Sequence, residues 1–125
     1  MELTAKNTSE YTPLITSLYT AVDAFNAQGV VDHVTEDVQF QLGNFEPITG
    51  REAVKDSNAA FFATIKAMRH TIKGVWSDGD TAICDGTVHY TRLDQSEHEV
   101  PFAAHLGLRD KKIADYKVFV DISEL

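Results

Sequence analysis

The sequence predicts an α+β domain in which helices from the first half cover a curved antiparallel (mixed) sheet from the second half, over an apolar pocket. Three observations support this prediction. Apolar residues recur at helical spacing before residue 69, they alternate from residue 69 to residue 121, and short polar turns separate the alternating runs. At 125 residues the chain is expected to form a single domain, 1–125, burying about two thirds of its unfolded surface.

The first helix is predicted to start at Thr12, acting as its cap, with Pro13 in the first turn; the residues before Tyr11 are expected to be loosely held. Its apolar stripe comprises Leu14, Ile15, Leu18, Tyr19, Val22 and Phe25. A short second helix is expected to bury Val30, Val31 and Val34. A strand from Val38 to Leu42 follows, and its inward face includes Phe40.

Thr49-Gly50-Arg51-Glu52 has the pattern of a capping box and predicts the start of a third helix. The side chains expected on the buried side of this helix are Val54, Phe61, Phe62, Ile65 and Met68. The helix therefore completes the cover over the sheet.

Four strands are predicted next, over 69–77, 81–93, 100–109 and 113–121. The strongest hairpin signal between them is Asp78-Gly79, since both residues tolerate a positive φ. Even-numbered side chains of these strands are mainly apolar, and successive side chains of a strand point to opposite faces. The even face, which carries His70, Trp76 and Tyr90, is therefore expected to face the pocket.

Composition excludes several classes of function. The net charge of −8 argues against a nucleic-acid partner, and no apolar run approaches the ~20 residues that span a bilayer. The N-terminus lacks the features of a signal peptide, which predicts a cytoplasmic protein. Cys84 is the single cysteine and is interpreted as a small buried hydrophobe. The five histidines lack ligand spacing and no Gly-rich phosphate loop is present, so neither a metal nor another cofactor is expected.

The order of elements resembles the nuclear transport factor 2-like fold and, within it, the SnoaL-like polyketide cyclase group, which is related to ketosteroid isomerase and limonene epoxide hydrolase. The resemblance extends over nearly the whole chain. It is carried by Asp37-Val38-Gln39-Phe40, Ile48 to Val54, Arg69-His70-Thr71-Ile72, Asp78-Gly79-Asp80, Gly86 to Thr91, Val100 to Ala103 and Lys112 to Asp121. It implies a cone-shaped domain with an apolar cavity, and a homodimer formed through the outer face of the sheet.

The resemblance also allows three chemistries to be compared with the residues present. The positions of the steroid isomerase base, tyrosine and acid fall on Leu42, Leu18 and Ala104, which are apolar, so that mechanism is disfavoured. The alternative is that Tyr19 replaces the tyrosine by a shift of one residue. Arg92-Leu93-Asp94 matches the Arg-x-Asp pair of the epoxide hydrolase, but the second acid falls on Val118. The alternative for Asp94 is an ordinary hairpin residue.

A cyclase needs a base that removes an α-proton, and His70 is the best candidate because imidazole titrates near working pH. Together with the Arg-x-Asp pair, this makes His70, Arg92 and Asp94 the predicted catalytic residues. An alternative for His70 is a satisfied core histidine. The predicted ligand-binding residues are Tyr19, Phe40, Phe62, Trp76, Tyr90, Phe102, Tyr116 and Asp121.

Two classes of function remain open. The first is a cofactor-free isomerase, cyclase or hydrolase that acts on a small hydrophobic carbonyl compound, polyketide-like or steroid-like, with a histidine or aspartate as general base. The second is a non-catalytic module of the same fold that binds a small molecule or forms a dimer.

Overall fold

The structure, a computed structural model, describes all 125 residues and shows an α+β fold with three helices and one seven-stranded mixed sheet. The helices are α1 (Thr12–Asp23), α2 (Ala27–Val31) and α3 (Arg51–Phe62). The strands are β1 (Glu2–Leu3), β2 (Val34–Leu42), β3 (Ile48–Thr49), β4 (Ile65–Asp78), β5 (Thr81–Arg92), β6 (Glu97–Arg109) and β7 (Lys112–Val120). None of the three helices has both the length and the apolar character needed to cross a membrane.

The sheet order is β1-β4-β5-β6-β7-β2-β3, so the four strands of the second half form its centre. These four pair antiparallel in sequence order, whereas β2 joins β7 and β1 joins β4 in parallel. The β5–β6 register runs without interruption from Thr81 opposite Gly107 to Thr91 opposite Glu97. Because no residue is inserted, alternate side chains of both strands stay on the same face throughout this ladder.

The concave face of the sheet and the three helices share one core of 25 buried hydrophobic residues. Helix α1 buries Ile15, Leu18, Tyr19 and Val22, which confirms the predicted stripe over most of its length. Helix α3 buries Val54 and Phe62, and the ring of Phe25, after the end of α1, stacks on Phe62 at 4.9 Å between centroids. The helices thereby cover one end of the curved sheet.

A β-bulge in β4 changes which side chains face the core. The β4–β5 register shifts between Ile72 and Gly74, so Gly74 and Val75 are both buried and the alternation reverses after them. The indole of Trp76 consequently lies on the convex face and is 51% exposed. The prediction that Trp76 faces the pocket is therefore wrong, because strict alternation was assumed through an inserted residue.

Two further local predictions, both at the N-terminal end, need correction. The residues before Tyr11 are held in place: Glu2–Leu3 pairs with β4, and the peptide N–H of Val75 donates to Asn7 Oδ1 at 3.2 Å. Helix α1 is capped by Tyr11 without a side-chain hydrogen bond, so Thr12 is not its cap.

The predicted third helix differs at both ends. Gly50 is the N-cap of α3 and no side chain caps it, because Thr49 belongs to β3, so the capping box does not form. At the other end α3 stops at Phe62, and Ile65 and Met68 are buried from β4 instead. Ile65 and Met68 are three residues apart, a spacing that suits a helix. The β4–β5 register shifts between Ile65 and Ala67, and this irregularity in the strand also brings the two side chains to one face.

Candidate active site

A narrow cavity lies between the concave face of the sheet and helices α1 and α3. Its enclosed volume is about 50 Å³, and the figure becomes about 540 Å³ when the gaps between the lining atoms and the space at its open mouth are counted. Sixteen residues from α1, α3, β2, β4, β5, β6 and β7 line it, and thirteen of them are hydrophobic. No lysine, arginine, aspartate or glutamate is among them. An apolar wall with few polar groups favours an uncharged, hydrophobic ligand.

Six of the eight residues predicted to bind a ligand lie in the wall of this cavity: Tyr19, Phe40, Phe62, Tyr90, Phe102 and Tyr116. Four of them are on strands, at even positions, and their burial follows from the uninterrupted alternation of β2, β5, β6 and β7 near the cavity. Their contact with a ligand remains a prediction.

The other two predicted ligand-binding residues lie elsewhere. Trp76 is on the convex face, beyond the bulge of β4. Asp121 follows β7 and is exposed, where its Oδ1 accepts from the peptide N–H of Ser123 at 3.0 Å. Hydrogen bonds from Ser123 lower the pKa of Asp121, so it remains an ionised turn residue at neutral pH. The bulge accounts for the position of Trp76, and the end of β7 at Val120 accounts for that of Asp121.

His70 on β4 is the one basic residue in the cavity wall and is only 5% exposed. Its ring packs against Tyr19 and Phe102, with centroids at 4.6 and 4.8 Å. Its Nδ1 lies 2.6 Å from Oδ1 of Asp23. The other ring nitrogen, Nε2, has no hydrogen-bond partner in the protein and is not sealed from the cavity. A nitrogen in this position is available to a ligand.

Asp23, the last residue of α1, was not predicted as a site residue. Its side chain is 8% exposed and lies behind His70. Besides the ring contact, its Oδ2 accepts the peptide N–H of His70 at 2.8 Å and lies 3.1 Å from the ammonium of Met1. A carboxylate at a helix C-terminus faces the negative end of the helix dipole, so it needs partners of this kind. That position, four residues after Tyr19 on the same face, was the available signal in the sequence.

Two phenols meet inside the cavity. The hydroxyl of Tyr116 donates to the hydroxyl of Tyr19 at 2.9 Å between oxygens. Burial raises the pKa of both tyrosines above the usual 10, and burial followed by the charge of Asp23 also raises the pKa of Tyr90. The three hydroxyls therefore stay protonated at neutral pH and are hydrogen-bond donors.

Arg92 and Asp94 lie outside the cavity wall, in and beside the hairpin that joins β5 and β6. Arg92 donates to the carbonyl oxygen of Glu124 from Nε at 3.2 Å and from Nη2 at 2.7 Å. Asp94 Oδ1 accepts the peptide N–H of Ser96 at 2.9 Å, and hydrogen bonds from Ser96 lower the pKa of Asp94. The placement corresponds to the alternative considered for Asp94, a hairpin residue, and assigns Arg92 to holding the C-terminal segment.

Two other candidate chemistries find no support in the geometry. Cys84 is buried on β5, and burial raises the pKa of its thiol to about 12, so it remains a neutral thiol at working pH. No group of three or more histidine, cysteine, aspartate or glutamate side chains is arranged to hold a metal ion.

Comparison with known families gives a match over most of the chain. The model of a family described as the SnoaL-like domain matches residues 15–116. This range includes both Asp23 and His70, as well as every strand of the cavity wall except the last residues of β7. No curated protein matches the chain in sequence.

Solved structures share the fold at low sequence identity. One is a protein from Catenulispora acidiphila, described as having a ketosteroid isomerase-like fold and solved in complex with trimethylamine. It is 20% identical, the match covers 94% of this chain and 89% of that chain, and the TM-score is 0.83. A SnoaL-like polyketide cyclase candidate from Jannaschia sp. is 13% identical over 94% and 92%, with a TM-score of 0.80. An LEH-like epoxide hydrolase from M. tuberculosis is 13% identical over 92% and 85%, with a TM-score of 0.77. At such identities these structures establish the fold alone.

Proposed function

Because the chain belongs to the SnoaL-like domain family, we propose that it is a cofactor-free enzyme of the isomerase or cyclase type that acts on a small hydrophobic carbonyl compound. The observation that carries the proposal is the position of His70, with Nε2 open to a cavity that is otherwise almost wholly apolar. A basic nitrogen among aromatic rings is suited to removing a proton from a carbon atom next to a carbonyl group. Arg92 and Asp94 have no part in this proposal.

The phenol pair provides the second half of the chemistry. Removing the α-proton leaves negative charge on the carbonyl oxygen, and that charge needs a donor in a site without cations. Tyr116 donates to Tyr19, which leaves the Tyr19 proton free to point at a ligand oxygen. The proton removed at carbon is then held on Nε2 of His70. Its return to a different carbon completes an isomerisation. In a cyclisation the enolate carbon attacks a second carbonyl group, and the alkoxide that forms takes the proton from Nε2.

Deuterium exchange tests the proposal without knowledge of the natural substrate. Small lipophilic ketones and 1,3-dicarbonyl compounds are incubated with the protein in D2O, and deuterium at the α-carbon is measured by proton NMR. We expect exchange to fall about 100-fold in His70→Gln, since general base catalysis contributes at least that factor. His89→Gln is the matched control, because His89 lies on the same sheet but outside the cavity wall. Equal exchange in the two variants would remove His70 as the base.

The alternative function is a non-catalytic module that binds a small hydrophobic molecule in the same cavity. It is favoured by the lining, in which His70 is the only residue other than the tyrosines able to titrate. A binding module is expected to be stabilised by its ligand, by about 2.7 kcal/mol at 100 times the Kd. A ligand that raises the Tm but shows no α-exchange above the rate without protein would select this alternative.

We also propose that the convex face of the sheet associates with a second copy of this chain. Trp76, Ile83 and Phe119 expose 51%, 38% and 60% of their surface there, and Nδ1 of His105 on the same face has no hydrogen-bond partner. Apolar side chains concentrated on one face are typical of an association surface. Ile83→Lys is expected to convert a dimer to a monomer in sedimentation equilibrium. Leu93→Lys, at an exposed hairpin, is the control and should leave the mass unchanged.

A further inference from the structure

Asp23 holds His70 through both of its oxygens. Oδ1 lies 2.6 Å from ring Nδ1, and Oδ2 accepts the peptide N–H of the same histidine at 2.8 Å. One carboxylate thus fixes both the backbone and the ring of a residue 47 positions away in sequence. The side chains of both residues are more than 90% buried, so water does not compete for these contacts.

We propose that Asp23 is a positioning residue that keeps the proton of neutral His70 on Nδ1, so that the lone pair of Nε2 faces the cavity. An ionised carboxylate only accepts hydrogen bonds, so the nitrogen 2.6 Å away must carry the hydrogen. In a neutral imidazole the second nitrogen is then the acceptor. The ring is held in this orientation by Tyr19 on one side and Phe102 on the other.

Two further kinds of group surround the pair. The ammonium of Met1 lies 3.1 Å from Oδ2 and already gives the carboxylate a cationic partner. Tyr19 and Tyr90 remain protonated because burial raises their pKa. The catalytic consequence rests on the proposed function, whereas the position of the ring proton rests on the geometry alone.

The variant Asp23→Asn distinguishes positioning from simple support of the fold. The peptide N–H of His70 still requires an acceptor, so the amide oxygen must take the place of Oδ2 and the amide NH2 must face Nδ1. An NH2 group only donates, so the ring proton has to move to Nε2. Asparagine is nearly isosteric with aspartate, but in this variant Nε2 of His70 would be protonated and would have no lone pair facing the cavity.

The first measurement is the ring 15N chemical shifts of His70 at pH 8 in the ligand-free protein. The wild type is expected to show Nδ1 protonated and Nε2 free, and Asp23→Asn is expected to show the reverse. The control Asp32→Asn makes the same change at the end of α2, away from His70, and should keep the wild-type pattern. An Nε2–H form, or a doubly protonated ring, in the wild type overturns the proposal.

The second measurement is α-proton exchange with the same lipophilic ketones. Asp23→Asn is expected to lower kcat about 100-fold with little change in KM, since the cavity that binds the compound is intact. Reversed ring shifts without any exchange in the wild type would keep the positioning role and refute the proposed function. Should Asp23→Asn fail to fold, the wild-type shifts alone decide the question.

Discussion

Gly86→Ala is expected to destabilise the protein strongly, because Gly86 lies opposite the bulge of β4. A Cβ atom on Gly86 would lie 1.8 Å from the carbonyl oxygen of Thr71 and 2.9 Å from its carbonyl carbon. Both are backbone atoms, so no side-chain rotation relieves the clash. Strands β4 and β5 would have to separate by roughly 1 Å beside His70.

The magnitude follows from what that separation disrupts. Overpacking costs about 1–3 kcal/mol, and weakening one or two ladder hydrogen bonds costs about 1 kcal/mol each. We therefore expect a loss of about 3 kcal/mol and a Tm lowered by about 10 °C. Gly107→Ala is the matched control on β6, because a Cβ there meets the Cβ of Asp115 at 3.2 Å and needs only a small shift. Its expected cost is about 1 kcal/mol or less.

Urea unfolding followed by far-UV circular dichroism measures both free energies of unfolding. The backbone shift next to Thr71 is also expected to disturb the contact between His70 and Asp23, so α-proton exchange should fall in Gly86→Ala but not in Gly107→Ala. Equal stability of the two variants would refute the inference that the bulge of β4 requires glycine at position 86.

Two further predictions concern residues inside and outside the cavity. Arg92→Ala should leave α-proton exchange unchanged, and it should lower stability by about 1 kcal/mol or less because the hydrogen bonds from Arg92 to Glu124 are exposed. A loss of exchange as large as that expected for His70→Gln would contradict the placement of Arg92 outside the cavity. Burial raises the pKa values of Tyr19, Tyr90 and Tyr116, so with rising pH these tyrosines lose their protons in the unfolded state before they do so in the folded state. The stability that they contribute is therefore present below pH 10 and is lost as the pH rises above 10. Absorbance at 295 nm should show that Tyr11 alone titrates reversibly, and that the other three tyrosines ionise together as the far-UV circular dichroism is lost. Four reversible ionisations in the folded protein would contradict the burial of the three tyrosines.

The sequence predicted the fold class, the central strands and most of the cavity wall. Tyr90, Phe102 and Tyr116 were placed correctly, because the antiparallel ladders that carry them keep a period of two near the cavity. Trp76 was misplaced because a bulge in β4 reverses the alternation before it, and whether a bulge can form depends on the residue opposite it in the partner strand. That partner is Gly86, the residue that lets the Thr71 carbonyl approach closely.

Local pattern thus determined which residues are apolar, which elements they form and which side of an undisturbed strand they occupy, because these depend on neighbours along the chain. The chemistry of the cavity depends on contacts between distant segments. Asp23 and His70 are 47 residues apart, and Tyr19 and Tyr116 are 97 apart. Only the packing of the end of α1 against β4 and β7 brings these polar groups together, and no periodicity within either segment records the other.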